Sequence, residues 1–161
     1  MKLYHGSNME IDCPDLSRSK PFKDFGQGFY LSPGYEQALA LAKQKTEQLL
    51  TGVPFVTTFE FNEEALNTLE LTVKFFDDYC QEWAEFVFVN RDRDRDRVHP
   101  AHSYDIVIGP IADDGVTYQL RRFRMGVIPM DKLIEELKYA KGLTIQYYFG
   151  TERALSYLKK L

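Results

Sequence analysis

The chain has 161 residues, 44% of them hydrophobic and 14% aromatic, with a net charge of −4 and a pI near 5.4. That balance predicts one folded domain over residues 1–161 and excludes a disordered chain; it also argues against nucleic-acid binding through overall charge, leaving room only for a local basic groove. Two cysteines, Cys13 and Cys80, make neither a disulfide framework nor a zinc set. With no apolar leader and no apolar run of about 18 residues, the expectation is a cytoplasmic protein with no membrane partner and no metal.

A short strand opens the chain at Lys2-Leu3-Tyr4, running into His5-Gly6-Ser7. Residues 8–25, broken by Asn8, Pro14, Asp15, Ser17, Ser19 and Pro21, read as a long loop of the kind that usually serves function. A glycine-flexed turn, Phe25-Gly26-Gln27-Gly28, leads into an aromatic strand from Gly28 to Leu31. Ser32-Pro33 then reads as a cap and first turn for a helix over about 33–50, with Ala38, Leu39, Leu41, Ala42 and Leu49 at helical spacing.

Alternation over Pro54–Phe61 predicts a strand, and Leu69–Val73 a shorter one. Tyr79, Cys80, Trp83, Phe86 and Val87 recur as one face of a helix within 77–90. The apolar run 104–109, ended by Gly109-Pro110, predicts a buried strand. Helices follow over roughly 114–125 and 130–141, the second stopped by Gly142; then come a strand over 143–149 and a terminal helix capped by Thr151 and carrying Leu155 and Leu158. Interspersed strands and helices, without a regular βαβ rhythm or a dinucleotide-binding glycine fingerprint, give the class α+β. The run Arg91-Asp92-Arg93-Asp94-Arg95-Asp96-Arg97 is nearly self-neutralising and reads as a solvated connector.

Four motifs stand in order along the chain: Asp24-Phe25-Gly26-x-Gly28-Phe29-Tyr30, Trp83-x-x-Phe86-Val87-x-x-Asn90-Arg91, Asp105-Ile106-Val107-Ile108-Gly109-Pro110 and Gln146-x-x-Phe149-x-Thr151. With His5-Gly6-Ser7 before them, they resemble the ADP-ribosyltransferase superfamily of the His-Tyr-Glu type, the diphtheria-toxin-like and poly-ADP-ribose-polymerase-like branch, and within it an uncharacterised bacterial group. Nearly the whole chain is covered. Such a resemblance implies a split antiparallel sheet core, NAD as substrate, no metal, and cleavage of the nicotinamide–ribose bond through a transition state with oxocarbenium character.

By the same resemblance, His5, Tyr30 and Gln146 are the catalytic positions. His5 is expected to bond a hydroxyl of the adenosine ribose, and Gly6 to offer its N–H and C=O to the nicotinamide carboxamide, with Ser7 alongside. Tyr30 is expected to stack on the pyridine ring, with Phe29 or Tyr35 near it. Arg18 and Lys20 are placed to cover the pyrophosphate. Plainer readings stand beside these: a strand-end histidine paired with backbone, a core tyrosine, and loop cations on the surface. Two positions depart from the family pattern. Its second sandwiching tyrosine falls on Leu41, and its glutamate falls on Gln146, which keeps a hydrogen bond but loses a charge worth on the order of a thousandfold in rate beside an oxocarbenium. Glu152 is a candidate to replace that charge, although a helix-start role also accounts for it. Asp105, Asp113 and Asp114 receive no role beyond turns and caps.

The leading expectation is therefore a mono-ADP-ribosyltransferase-like protein with an unknown acceptor. The alternatives are an NAD glycohydrolase, which as a toxin would have an antitoxin partner, and an inactive module that binds NAD or ADP-ribose.

Overall fold

A computed structural model describes residues 1–94, 99–139 and 143–161. The end of the Arg-Asp run and the expected helix stop at Gly142 lie outside the described residues. Within them the chain is mixed α+β, with two sheets and five α-helices. The strands are β1 Lys2–Ser7, β2 Phe29–Leu31, β3 Phe55–Phe61, β4 Val73–Phe75, β5 Ile106–Pro110, β6 Ile145–Phe149 and β7 Leu158–Lys160. The helices are α1 Tyr35–Leu49, α2 Gln81–Arg91, α3 Asp114–Arg124, α4 Met130–Tyr139 and α5 Glu152–Leu155. No helix among the described residues is long and apolar enough to cross a membrane.

One sheet has the order β1-β3-β7 and is antiparallel; the other has the order β2-β6-β5-β4. In the second sheet β4 runs parallel to β5, which corrects the expectation of a wholly antiparallel core. Strand alternation sorts the β5 and β6 side chains to two faces. Val107 and Tyr148 join Trp83, Val87, Leu120, Leu133 and Leu137 beneath α2–α4, while Ile106, Ile108 and Phe149 meet Leu3, Phe59 and Phe61 of the other sheet. Trp83 is fully buried, its indole N–H donating to the Pro110 carbonyl at 3.2 Å.

Three predicted elements shift. The strand expected over 69–73 forms at Val73–Phe75, because its register is set by the pairing Val73↔Ile106 to Phe75↔Ile108. Ser32 does not cap α1: its hydroxyl bonds the Gly34 backbone instead, and Gly34 is the cap residue. The terminal helix is a single turn. Thr151 caps it by accepting the Ala154 N–H, but Leu158 pairs with Phe61, and adding a strand to the free edge of β3 wins over extending a costly short helix.

Candidate functional site

Besides their packed faces, the two sheets are joined among the described residues by one backbone bridge. Tyr4 of β1 and Ser32, just after β2, exchange both backbone bonds at 2.8 Å. Along an antiparallel pair the next such exchange falls two residues on, joining Gly6 to Tyr30. It does not form, because the Nδ1–H of His5 donates to the Tyr30 carbonyl at 2.7 Å and the Gly6 carbonyl takes the Lys45 ammonium at 3.4 Å. A side chain thus occupies the acceptor that would extend the ladder, and the sheets part beyond it. Since a carbonyl only accepts, His5 carries its proton on Nδ1 and keeps Nε2 as an acceptor. Burial, then the Lys45 charge, lowers the His5 pKa to about 4, so the ring is neutral near pH 7.

A cleft of about 900 Å³ opens at this parting, near the top of the usual range for small-molecule sites. Gly6, Tyr30 and Gln146 all line it, so three of the expected positions from three distant segments converge. Leu41 lines it as well. The other expected residues stand elsewhere. His5 stacks on Phe29 at 4.4 Å, and Phe29 itself is a core residue packed edge-on against Phe59. Ser7 is buried beside Asn8, Arg18 is exposed at the end of a 3-10 turn, and Tyr35 is half exposed with its ring edge-on to Tyr4.

Gly6 is glycine for a packing reason. A Cβ there would lie 1.9 Å from the Ala38 carbonyl oxygen, so the missing side chain makes room for α1 and not for a flat ligand. What Gly6 offers the cleft side is its peptide edge. Gly28 is likewise a packing glycine, since a Cβ would fall 2.1 Å from the Tyr148 ring.

The Tyr30 phenol is pinned, accepting the Phe25 N–H at 3.1 Å and donating to the Gly26 carbonyl at 2.7 Å. Burial first, and then the Asp24 charge, pushes its pKa well above 10, so it is a fixed wall and not a proton carrier. The Lys23 ammonium lies 4.7 Å from the centre of its ring.

Behind Gln146 stands a residue that sequence reasoning left without a role. Asp24, in the loop before β2, is buried and takes four hydrogen bonds. The Arg91 guanidinium holds Oδ1 at 2.6 and 2.9 Å, while the Ala112 N–H and the Gln146 amide hold Oδ2 at 3.0 Å each. A carboxylate only accepts, so Gln146 must turn its NH2 to Asp24 and keep Oε1 as the acceptor left for the cleft. Arg91 is therefore no solvated connector. Its signal in the sequence is the apolar face Trp83–Val87–Asn90, which carries the end of α2 toward the loop. Glu152 does not supply the missing charge to this cleft: it is exposed in the first turn of α5.

Lys23 lines the cleft, Lys45 reaches the Gly6 carbonyl, and Lys20 is close enough to act on the charges of both. Burial, then the mutual repulsion of Lys45 and Lys23, lowers Lys23 to about 8; Lys45 is lowered too, by burial and then by Lys20. Among the described residues no carboxylate forms an ion pair with Lys20, Lys23 or Lys45. Asp105 is a second hub, away from the cleft. Burial pushes its carboxyl up, but bonds from Thr151, Thr72 and Arg153 outweigh this and hold it at about 2. A smaller cavity of about 280 Å³, lined by Asn90, His102 and Tyr148 among others, includes none of the expected site residues. Among the described residues no group of three or more His, Cys, Asp or Glu is arranged to hold a metal ion.

No curated protein and no solved structure matches the chain. A family model described as "Protein of unknown function (DUF3990)" matches residues 1–160, and the chain belongs to that family.

Proposed function

We propose that the parted sheets form an ADP-ribosyltransferase-like core and that the chain binds NAD in the 900 Å³ cleft and transfers its ADP-ribose to an acceptor. The observation that carries this reading is the convergence of the Gly6 peptide edge, the Tyr30 ring and the Gln146 carboxamide on one cleft at the point where β1 and β2 separate. The Gly6 N–H and C=O suit a primary carboxamide. The Tyr30 ring gives the cleft an aromatic face on which a flat ring could stack once the Lys23 ammonium, 4.7 Å from its centre, swings toward the pyrophosphate. Lys20, Lys23 and Lys45, which form no ion pair with a carboxylate among the described residues, suit a pyrophosphate.

Gln146 Oε1 would accept a hydrogen bond from the hydroxyl of the nicotinamide-side ribose. Because the amide donates to Asp24 at 3.0 Å, the carboxylate polarises it and makes Oε1 more negative, a partial substitute for the family's glutamate. The C–N bond breaks with its electron pair going to nicotinamide, which leaves neutral. The acceptor atom then bonds the ribose carbon and its proton passes to water.

The test is incubation of purified chain with NAD labelled in the ADP-ribose part, following nicotinamide release and macromolecule labelling separately. Labelling with release is the expected result. Release alone would favour a glycohydrolase, saturable NAD binding without release would favour a binding module, and no binding at all overturns the reading.

A further inference from the structure

We propose that the wall of the cleft built by α3 and the end of α2 binds single-stranded nucleic acid and presents it as the acceptor, an inference that rests on the transfer reading above. Arg93, Arg121 and Arg124 line this wall. Arg121 and Arg124 are one turn apart on the face of α3 that also brings Thr117 to the cleft. None of the three has a carboxylate ion-pair partner among the described residues. The acidic groups on the same wall, Asp113 and Asp114, sit at the opposite end of α3, about 10–15 Å away by helical rise, and Asp113 is engaged as the cap of Val116.

A chain of net charge −4 that gathers on one cleft wall three guanidiniums without an ion-pair partner among the described residues is suited to phosphates. Lys23 in the cleft and Lys45 on the Gly6 carbonyl already offer two cations to one pyrophosphate, so the arginine wall calls for a second polyanion. Tyr118 identifies its class: the ring is 60% exposed, with the Arg122 guanidinium 5.9 Å from its centre, on the surface next to Arg121. An exposed aromatic beside a cationic groove is the arrangement on which unpaired bases stack. A base nitrogen or terminal phosphate oxygen of the strand would attack the ribose carbon as nicotinamide departs with the bonding pair; any proton on the attacking atom goes to water.

The test uses the full chain and fluorescent mixed-sequence 20-nucleotide RNA and DNA single strands, read by anisotropy across a salt series. Replacing all three arginines (R93Q, R121Q, R124Q) should weaken binding tenfold or more and reduce the slope of log K against log salt by about 2. Tyr118→Ala should weaken single strands about fivefold or more and leave duplex binding little changed. The single variants R121Q and R124Q serve if the triple variant does not fold. Absent strand binding, or binding equal in wild type and arginine variants, overturns the proposal. So does labelling of protein instead of the strand when both are offered. Nicotinamide release from NAD without oligonucleotide reports the transfer reading on its own; strand binding in a chain that never releases nicotinamide overturns the acceptor role.

Discussion

Asp24 and Gln146 stand 122 residues apart in the chain and share a 3.0 Å hydrogen bond, the amide of one held by the carboxylate of the other while Arg91 grips the carboxylate from behind. Position 146 thus faces an existing negative charge. A glutamine there is the residue that a neighbouring aspartate requires, not a worn remnant of a glutamate.

Placing a glutamate at position 146 should therefore fail to raise any turnover of NAD. In Gln146→Glu two carboxylates meet at about 3 Å, and one must stay protonated or push the other away. Thermal unfolding should occur several degrees lower, and nicotinamide release from NAD should not increase. The exchange Asp24→Asn with Gln146→Glu reverses the direction of the bond and restores one charge to the pair, so it should regain part of the lost stability, the Ala112 N–H losing its acceptor. A large rate gain in the single variant would refute the pairing.

Breaking the same cluster from the other side should be costly. Arg91→Met leaves the Asp24 carboxylate buried without its cation, a defect of about 3 kcal/mol. Urea unfolding should show an earlier midpoint with an unchanged slope. Loss below about 1 kcal/mol would mean that water replaces the guanidinium, and that the cluster is a surface feature.

Anion affinity should follow the protonation of Lys23. The group is charged below its pKa of about 8 and neutral above it, so binding of NAD or inorganic pyrophosphate should weaken as pH rises through that value. Binding an anion also raises the pKa, which sharpens the effect by linkage. In Lys23→Met the dependence between about pH 7 and 9 should flatten, with weaker binding at pH 7. Identical titration calorimetry profiles for the two proteins would remove Lys23 from the ligand site.

Most of the element order was legible because it rests on local pattern: alternation in Phe55–Phe61, helical spacing from Trp83 to Asn90, the apolar run 106–110. The convergence of Gly6, Tyr30 and Gln146 was legible only through resemblance, since nothing local in three separate strands says that they share a cleft. The roles of Asp24 and Arg91 were not legible at all. Each looks like a surface charge in its own segment, and the pairing that buries them spans 67 residues. The reason Gly6 is glycine was not legible either: the Ala38 carbonyl lies where a Cβ would go. Gly6→Ala should accordingly cost about 3 kcal/mol or more by overpacking, visible in unfolding of the chain without any ligand.

Asp105 should govern acid stability. Its folded pKa, about 2, lies below its ordinary 3.8, so the folded state binds the proton less readily than the unfolded chain does. The stabilisation is complete above about pH 4 and is lost as pH falls toward 2. Asparagine at this position would keep one acceptor oxygen and turn an NH2 toward the donors of either Thr151 or Thr72 and Arg153. Asp105→Asn should then lose about 2 kcal/mol at pH 7, and the gap to wild type should narrow between pH 4 and 2 as the native carboxyl takes up its own proton. Denaturation at a series of pH values measures both. Stability curves for wild type and variant that stay parallel to pH 2 would show that the charge of Asp105 is not what ties β4, β5 and α5 together.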